Sequence, residues 1–134
     1  MKKIGVWIDK REAKIVTLAA ENETLHTVPS NVEDYHVKGG SGTRLKGGPQ
    51  DVVQDRKYLE REKHQLRVFF RNVVAEIDDA DELLIFGPAQ VPQKLEKELV
   101  EIYPQLSEKV RGVEKADSMT ENQVKAWVRD FFAN

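Results

Sequence analysis

An α/β domain built on a single mixed sheet is what this sequence predicts, on three observations. Short segments near the start alternate apolar and polar residues, a long amphipathic helical pattern follows them, and a continuous apolar run then opens a stretch that alternates strand and helix periods. Residues 3–9 alternate so that Ile4, Val6 and Ile8 share one face of a strand. Asp9-Lys10-Arg11-Glu12 supplies polar turn residues before 13–20 resumes as a second strand, and the pair reads as a hairpin. Thr24-Leu25-His26-Thr27-Val28-Pro29 reads as a third, shorter strand, ended by Pro29 and Ser30.

From 31 to 50 no period persists, while Gly39, Gly40, Gly42, Gly47 and Gly48 crowd together. That composition predicts a mobile glycine-rich loop over about 31–51, and loops of this length in small domains are commonly functional. Leu59, Leu66, Phe69, Phe70, Val73, Val74 and Ile77 then recur at helical spacing with charged residues between them, which predicts a long amphipathic helix over about 52–77. The run Leu83-Leu84-Ile85-Phe86-Gly87 has the continuous apolar character of a strand buried on both faces, with Pro88 at a strand-to-helix turn. Leu95, Leu99, Ile102 and Tyr103 form the stripe of a second helix that Pro104 stops. Residues 109–115 offer a last strand on Val110 and Val113. Thr120-Glu121-Asn122-Gln123 has the form of a capping box ahead of Val124, Trp127, Val128 and Phe131, a third helix. Trp127, Phe131 and Phe132 are expected to pack on the core rather than form a dimer contact.

The order is βββαβαβα: an antiparallel meander, then alternating units that extend the same sheet in parallel. This is the order of a ribonuclease-H-like domain. No repeat, linker or second composition regime interrupts it, so residues 1–134 read as one domain.

Composition narrows the chemistry. The 134 residues contain no cysteine, which excludes disulfides, thiolate metal sites and a cysteine nucleophile. A reducing, cytoplasmic compartment is expected, and no apolar run approaches the ~20 residues that a membrane span requires. The net charge of −2 hides a basic segment, since nine Lys and Arg face four Asp and Glu between His36 and Arg71. A segregated positive patch of this kind suits a polyanion; the plainer reading is a solvated helix face laced with ion pairs.

Familiar catalytic patterns are thin. A metal-dependent nuclease needs carboxylates converging from several elements, and Asp9 stands where one ligand belongs, but the strand ending Phe86-Gly87-Pro88 supplies none. Asp9 reads better as a turn former. His26, His36 and His64 fall on a strand, a loop and a helix without metal-ligand spacing, and the Glu60 and His64 pair is an ordinary surface pairing four residues apart. Gly87-Pro88-Ala89-Gln90 has neither the Lys-Ser/Thr of a P-loop nor the spaced glycines of a dinucleotide site, and reads as a structural turn. No metal or other cofactor is expected.

The most specific segment is His36-Val37-Lys38-Gly39-Gly40-Ser41-Gly42-Thr43-Arg44-Leu45-Lys46-Gly47-Gly48-Pro49-Gln50, followed by the basic helix with Glu62-Lys63-His64. Together with the element order and Leu83-Leu84-Ile85-Phe86-Gly87-Pro88, it resembles the central domain of eukaryotic and archaeal peptide release factors and of the ribosome-rescue factor Pelota, and more closely the compact bacterial relatives of that superfamily. In release factors a Gly-Gly-Gln tip on a basic loop precedes a long helix. The resemblance implies that Gly47, Gly48 and Gln50 form the tip, that Arg56 and Arg61 flank it, and that Glu62 and His64 are the helix signature. It further implies a ribosome- or tRNA-associated translation factor acting as a peptidyl-tRNA hydrolase, with Lys38, Arg44, Lys46, Arg56, Arg61 and His64 against RNA. An RNA-binding or interaction module without catalysis is the alternative.

Such a loop would place water beside the ester carbonyl, while preorganised donors receive the developing oxyanion. Glutamine is no base, but its amide can orient a water or the tRNA terminus. Pro49 departs from the pattern by standing between Gly48 and Gln50, where it fixes φ near −65° and removes a backbone donor. Gly39-Gly40-Ser41 is the other pairing, with a hydroxyl in place of the amide.

Overall fold

The structure is a computed structural model that describes residues 1–32 and 49–133, with the backbone alone over 49–58. Its elements are β1 (Lys2–Ile8), β2 (Glu12–Ala19), β3 (Asn22–Pro29), α1 (Pro49–Ile77), β4 (Glu82–Gly87), α2 (Val91–Ile102), the single turn α3 (Pro104–Ser107), β5 (Val110–Lys115) and α4 (Glu121–Ala133). The strands form one sheet in the order β3-β2-β1-β4-β5. β1, β2 and β3 pair antiparallel, whereas β4 and β5 extend the sheet in parallel to β1. The chain thus has the ribonuclease-H-like mixed α/β sheet expected from its element order, with α3 as an added turn.

Strand periodicity divides the core into two. Ile4, Val6, Ile8, Ala13, Ile15, Leu83 and Ile85 project to one face and meet Phe69, Phe70, Val73 and Ile77 of α1 with Leu95 and Leu99 of α2. Trp7, Val16, Leu84 and Phe86 project to the other, where Val124 and Val128 of α4 cover them. β1 and β4 are therefore buried on both sides, which is why Leu83 to Phe86 is apolar without a break. The C-terminal aromatics join the second core. Trp127 stacks on Phe86 with centroids 5.5 Å apart and planes 6° from parallel, and its Nε1–H donates to Glu114 Oε1 at 3.0 Å. Phe131 and Phe132 are half-buried there, edge to face.

Two glycines mark close approaches in the fold. A Cβ on Gly5 would lie 2.3 Å from Cγ2 of Val128, so its absence lets α4 settle onto β1. Gly87 has φ 151°, and a Cβ there would lie 2.2 Å from the Ile8 carbonyl oxygen. The capping box at the start of α4 forms as its sequence predicts: the Gln123 N–H donates to Thr120 Oγ1, and the Thr120 N–H donates to Gln123 Oε1.

Three expectations need correction. α1 begins at Pro49, about three residues before the helix expected from 52, which removes 49–51 from the predicted loop. Proline suits that position because its missing N–H falls among those with no intrahelical acceptor. Leu59 and Ile102, both placed on apolar stripes, are 52% exposed. Tyr103 and Leu106, rather than Ile102, join the core after α2.

Candidate nucleic-acid interface

The β1–β2 turn organises one end of the sheet. The backbone N–H groups of Arg11 and Glu12 donate to Asp9 Oδ1 at 2.8 and 2.9 Å, and the Asp9 N–H donates to the Glu12 carbonyl at 3.0 Å. Asp9 is therefore the turn former its sequence context suggests. Ser30, buried at the end of β3, ties the outgoing chain to this turn. Its hydroxyl donates to the Lys10 carbonyl and accepts from the Val32 N–H at 3.2 Å, while its own N–H donates to the Arg11 carbonyl at 2.9 Å. Asn31 follows at φ 58°, a left-handed conformation that asparagine tolerates. Residues 33–48 leave from this anchored corner.

α1 returns to the same corner. Lys10 Nζ meets Glu62 Oε2 at 2.8 Å, joining the hairpin turn to the helix. From there α1 descends along the sheet, its side chains burying from Leu66 to Ile77, and Asp81 N–H donates to the Lys2 carbonyl at the opposite end of β1. The 13 residues from Pro49 to Arg61 precede the Glu62 contact, so at 1.5 Å per residue α1 runs about 20 Å beyond that contact. Arg61, Lys63, His64, Arg67 and Arg71 are exposed along it. Arg61 and Lys63 thus stand exposed on α1 near the corner from which residues 33–48 depart, beside the exposed Glu60.

The predicted site residues divide accordingly. Lys38, Arg44, Lys46, Gly47 and Gly48 lie outside the described residues, as does the alternative Gly39-Gly40-Ser41. Gln50 stands in the first turn of α1 and Arg56 two turns further on, both described in backbone only. Arg61 and His64 are exposed on α1 near the anchored corner, and Glu62 of the helix signature is engaged by Lys10.

Sequence reasoning missed a second group of cations at the same end of the sheet. β4 and β5 both finish there, and Lys94, Lys97 and Lys115 border a cleft beside the Gly87-Gln90 turn. Lys94 and Lys97 alternate with Glu96 and Glu98 along the chain, which gives that stretch the look of a neutral helix. At the opposite end of the sheet lie Asp78, Asp79, Asp81 and Glu82, with Arg111 against Glu82. Lys2 sits among these carboxylates and, by hydrogen bonding to Asp79, holds that carboxyl below the ordinary aspartate range. Among the described residues no cluster of His, Asp and Glu has metal-binding geometry, and no helix is long and apolar enough to cross a membrane.

Comparison with solved structures finds this fold within larger archaeal proteins. Pelota of Archaeoglobus fulgidus matches 97% of this chain with a TM-score of 0.60 and 14% sequence identity. An archaeal translation termination factor matches 95% of it with a TM-score of 0.52 and 11% identity. The chain spans about a third of those proteins, 31% and 33% of their respective lengths. No protein-family model matches the sequence, and no curated protein matches it.

Proposed function

We propose that this chain is a cytoplasmic translation factor, a compact member of the release-factor and Pelota superfamily that binds the ribosome and tRNA through the end of the sheet where residues 33–48 depart. The observation that carries the reading is the fold itself: nearly the whole chain matches Pelota and an archaeal termination factor, and its basic, glycine-rich segment lies between β3 and α1. At low identity fold does not dictate activity, so the chemistry is argued from the segment.

In this reading Lys38, Arg44, Lys46, Arg56, Arg61 and His64 contact RNA backbone, and Gly47 and Gly48 permit close approach to the tRNA terminus. Gln50 orients a water against the ester carbonyl of peptidyl-tRNA. The water oxygen bonds to the carbonyl carbon, and the bond from that carbon to the ribose oxygen breaks. The tRNA hydroxyl takes up a proton, and the peptide leaves as a carboxylic acid. The ribosome supplies the remaining donors around the oxyanion. No cofactor enters the reaction.

Cosedimentation with ribosomes across a salt series, with labelled peptide release followed in the same samples, tests this. Binding that weakens with salt together with release is the expected result. Gln50→Ala is expected to lower release by about 10-fold or more while leaving binding intact, in keeping with loss of a positioning group. Unchanged release in that variant removes the catalytic assignment.

A second reading, an RNA-binding factor without catalysis, is favoured by one observation: Pro49 and Gln50 open α1, so the residue after the two glycines and the glutamine belong to a helical turn. Salt-sensitive ribosome binding with no ester cleavage is its outcome.

A further inference from the structure

We infer that the cleft between the start of α2 and the end of β5 is a second contact for RNA phosphodiester backbone, made by Lys94, Lys97 and Lys115. The inference rests on the proposed function for the identity of the RNA. The cleft has a volume of about 400 Å³ and is lined by Ala89, Gln90, Gln93, Lys94, Lys97 and Lys115. Half of its lining is lysine and none of it is acidic, in a chain whose acidic residues outnumber its basic ones.

Five cations elsewhere in the described residues lie against carboxylates. Lys2 meets Asp79, Lys10 meets Glu62, Lys14 meets Glu12, Arg111 meets Glu82 and Arg129 meets Glu23. Lys94, Lys97 and Lys115 are exposed and form no ion pair among the described residues. The glutamates nearest them on α2, Glu96 and Glu98, are half-buried and do not line the cleft. Three ammonium groups converging on a concave surface repel one another, and a polyanion relieves that repulsion while it is held.

The lining selects among polyanions. Protein partners are anchored by buried aromatic or aliphatic side chains, and the only apolar side chain here is that of Ala89. Lysine presents a compact point charge that suits phosphate irrespective of base sequence, and the amides of Gln90 and Gln93 add donors for phosphate or ribose oxygens. Lys94 and Lys97 stand one helical turn apart, about 5–6 Å between Cβ atoms, so the two ammonium groups can share one stretch of backbone. The position agrees with this choice: β4 and β5 end at the side of the sheet that carries the Lys10-Arg11 turn and the Glu62 contact of α1. An RNA engaged by α1 therefore has a second positive surface within the same end of the molecule.

The test measures binding of fluorescently labelled tRNA by the full chain across a salt series, for wild type, for Lys94→Gln/Lys97→Gln/Lys115→Gln, and for the matching triple Lys→Arg variant. All three positions are exposed, so folding is expected to be retained, and circular dichroism checks it. The Gln variant is expected to bind about 10-fold or more weakly at low salt, and its log–log salt slope to be shallower by about 2–3, the value for three lost phosphate contacts at ~0.7–0.9 each. The Arg variant is expected to retain the slope of wild type. Unchanged affinity and slope in the Gln variant, with wild-type ribosome cosedimentation intact, overturns this inference and leaves the proposed function standing. Wild type that binds neither tRNA nor ribosomes overturns both. Loss of poly-glutamate binding in the Gln variant without a change for tRNA overturns it in favour of an acidic protein. Loss of adenosine monophosphate binding alone overturns it in favour of a free nucleotide.

Discussion

Ser30 shows how much of the candidate interface rests on single side chains. It is buried, and its hydroxyl bridges the Lys10 carbonyl and the Val32 N–H at the point where the chain leaves β3. Ser30→Ala removes both bonds and leaves a carbonyl without that donor in a part-buried site, so a loss of about 1–2 kcal/mol is expected in urea unfolding. An unchanged midpoint would show that the turn holds the outgoing chain by its backbone alone. Asp79 acts at the opposite end. Its carboxyl is held below the ordinary aspartate range by Lys2, so the folded chain binds fewer protons than the unfolded chain as pH falls through that range. The resulting stabilisation is complete above the ordinary range and is lost as pH drops through the lowered value. With Asp79 59% and Lys2 37% exposed, solvent screening keeps it small. Asp79→Asn is therefore expected to be slightly less stable than wild type near neutrality, with the gap closing in acid. Unfolding midpoints compared across pH check both the sign and the window.

Among the elements, α4 depends on a glycine opposite it. Gly5→Ala puts a methyl group against Val128, and overpacking of this kind costs about 1–3 kcal/mol. Val128→Ala opens a cavity, yet the double variant is expected to recover part of the combined loss because each change makes room for the other. Strictly additive thermal or urea data would show that α4 shifts instead. The strands and most helices were legible because each buries one set of residues with a fixed period: alternation gave β1, the unbroken apolar run gave β4, and Thr120 with Gln123 marked the start of α4. Leu59 and Ile102 misled because periodicity identifies a face of a helix but not which positions on it find a neighbour in the fold. α3 escaped notice because Pro104 ends one helix and opens another within two residues, and a single turn has no period of its own.

Over the whole molecule, the net charge of −2 describes neither end of the sheet. Lys10, Arg11, Lys94, Lys97 and Lys115 lie where β1, β4 and β5 finish, and Asp78, Asp79, Asp81 and Glu82 lie where β1 and β4 begin, with Lys2 and Arg111 beside them. The basic run within 36–71 was visible in the sequence. Lys94, Lys97 and Lys115 were not, since two elements separated in sequence bring them together and glutamates interrupt them. In the proposed RNA contact, the lysines at this end would steer an approaching polyanion. Such steering falls with ionic strength over the ~10 Å Debye length near 0.1 M salt, which ties the salt series above to the overall charge layout as well as to single contacts.

Met1 and Ala133 have a practical meaning in this layout. They border the same cleft, beside Ala20 and Asn22 at the β2–β3 turn, away from the end of the sheet where Lys94, Lys97 and Lys115 lie. A dye attached at either residue therefore sits behind the surface proposed for RNA. With dyes on both, the distance between them should stay constant on binding while fluorescence from a probe on α1 changes.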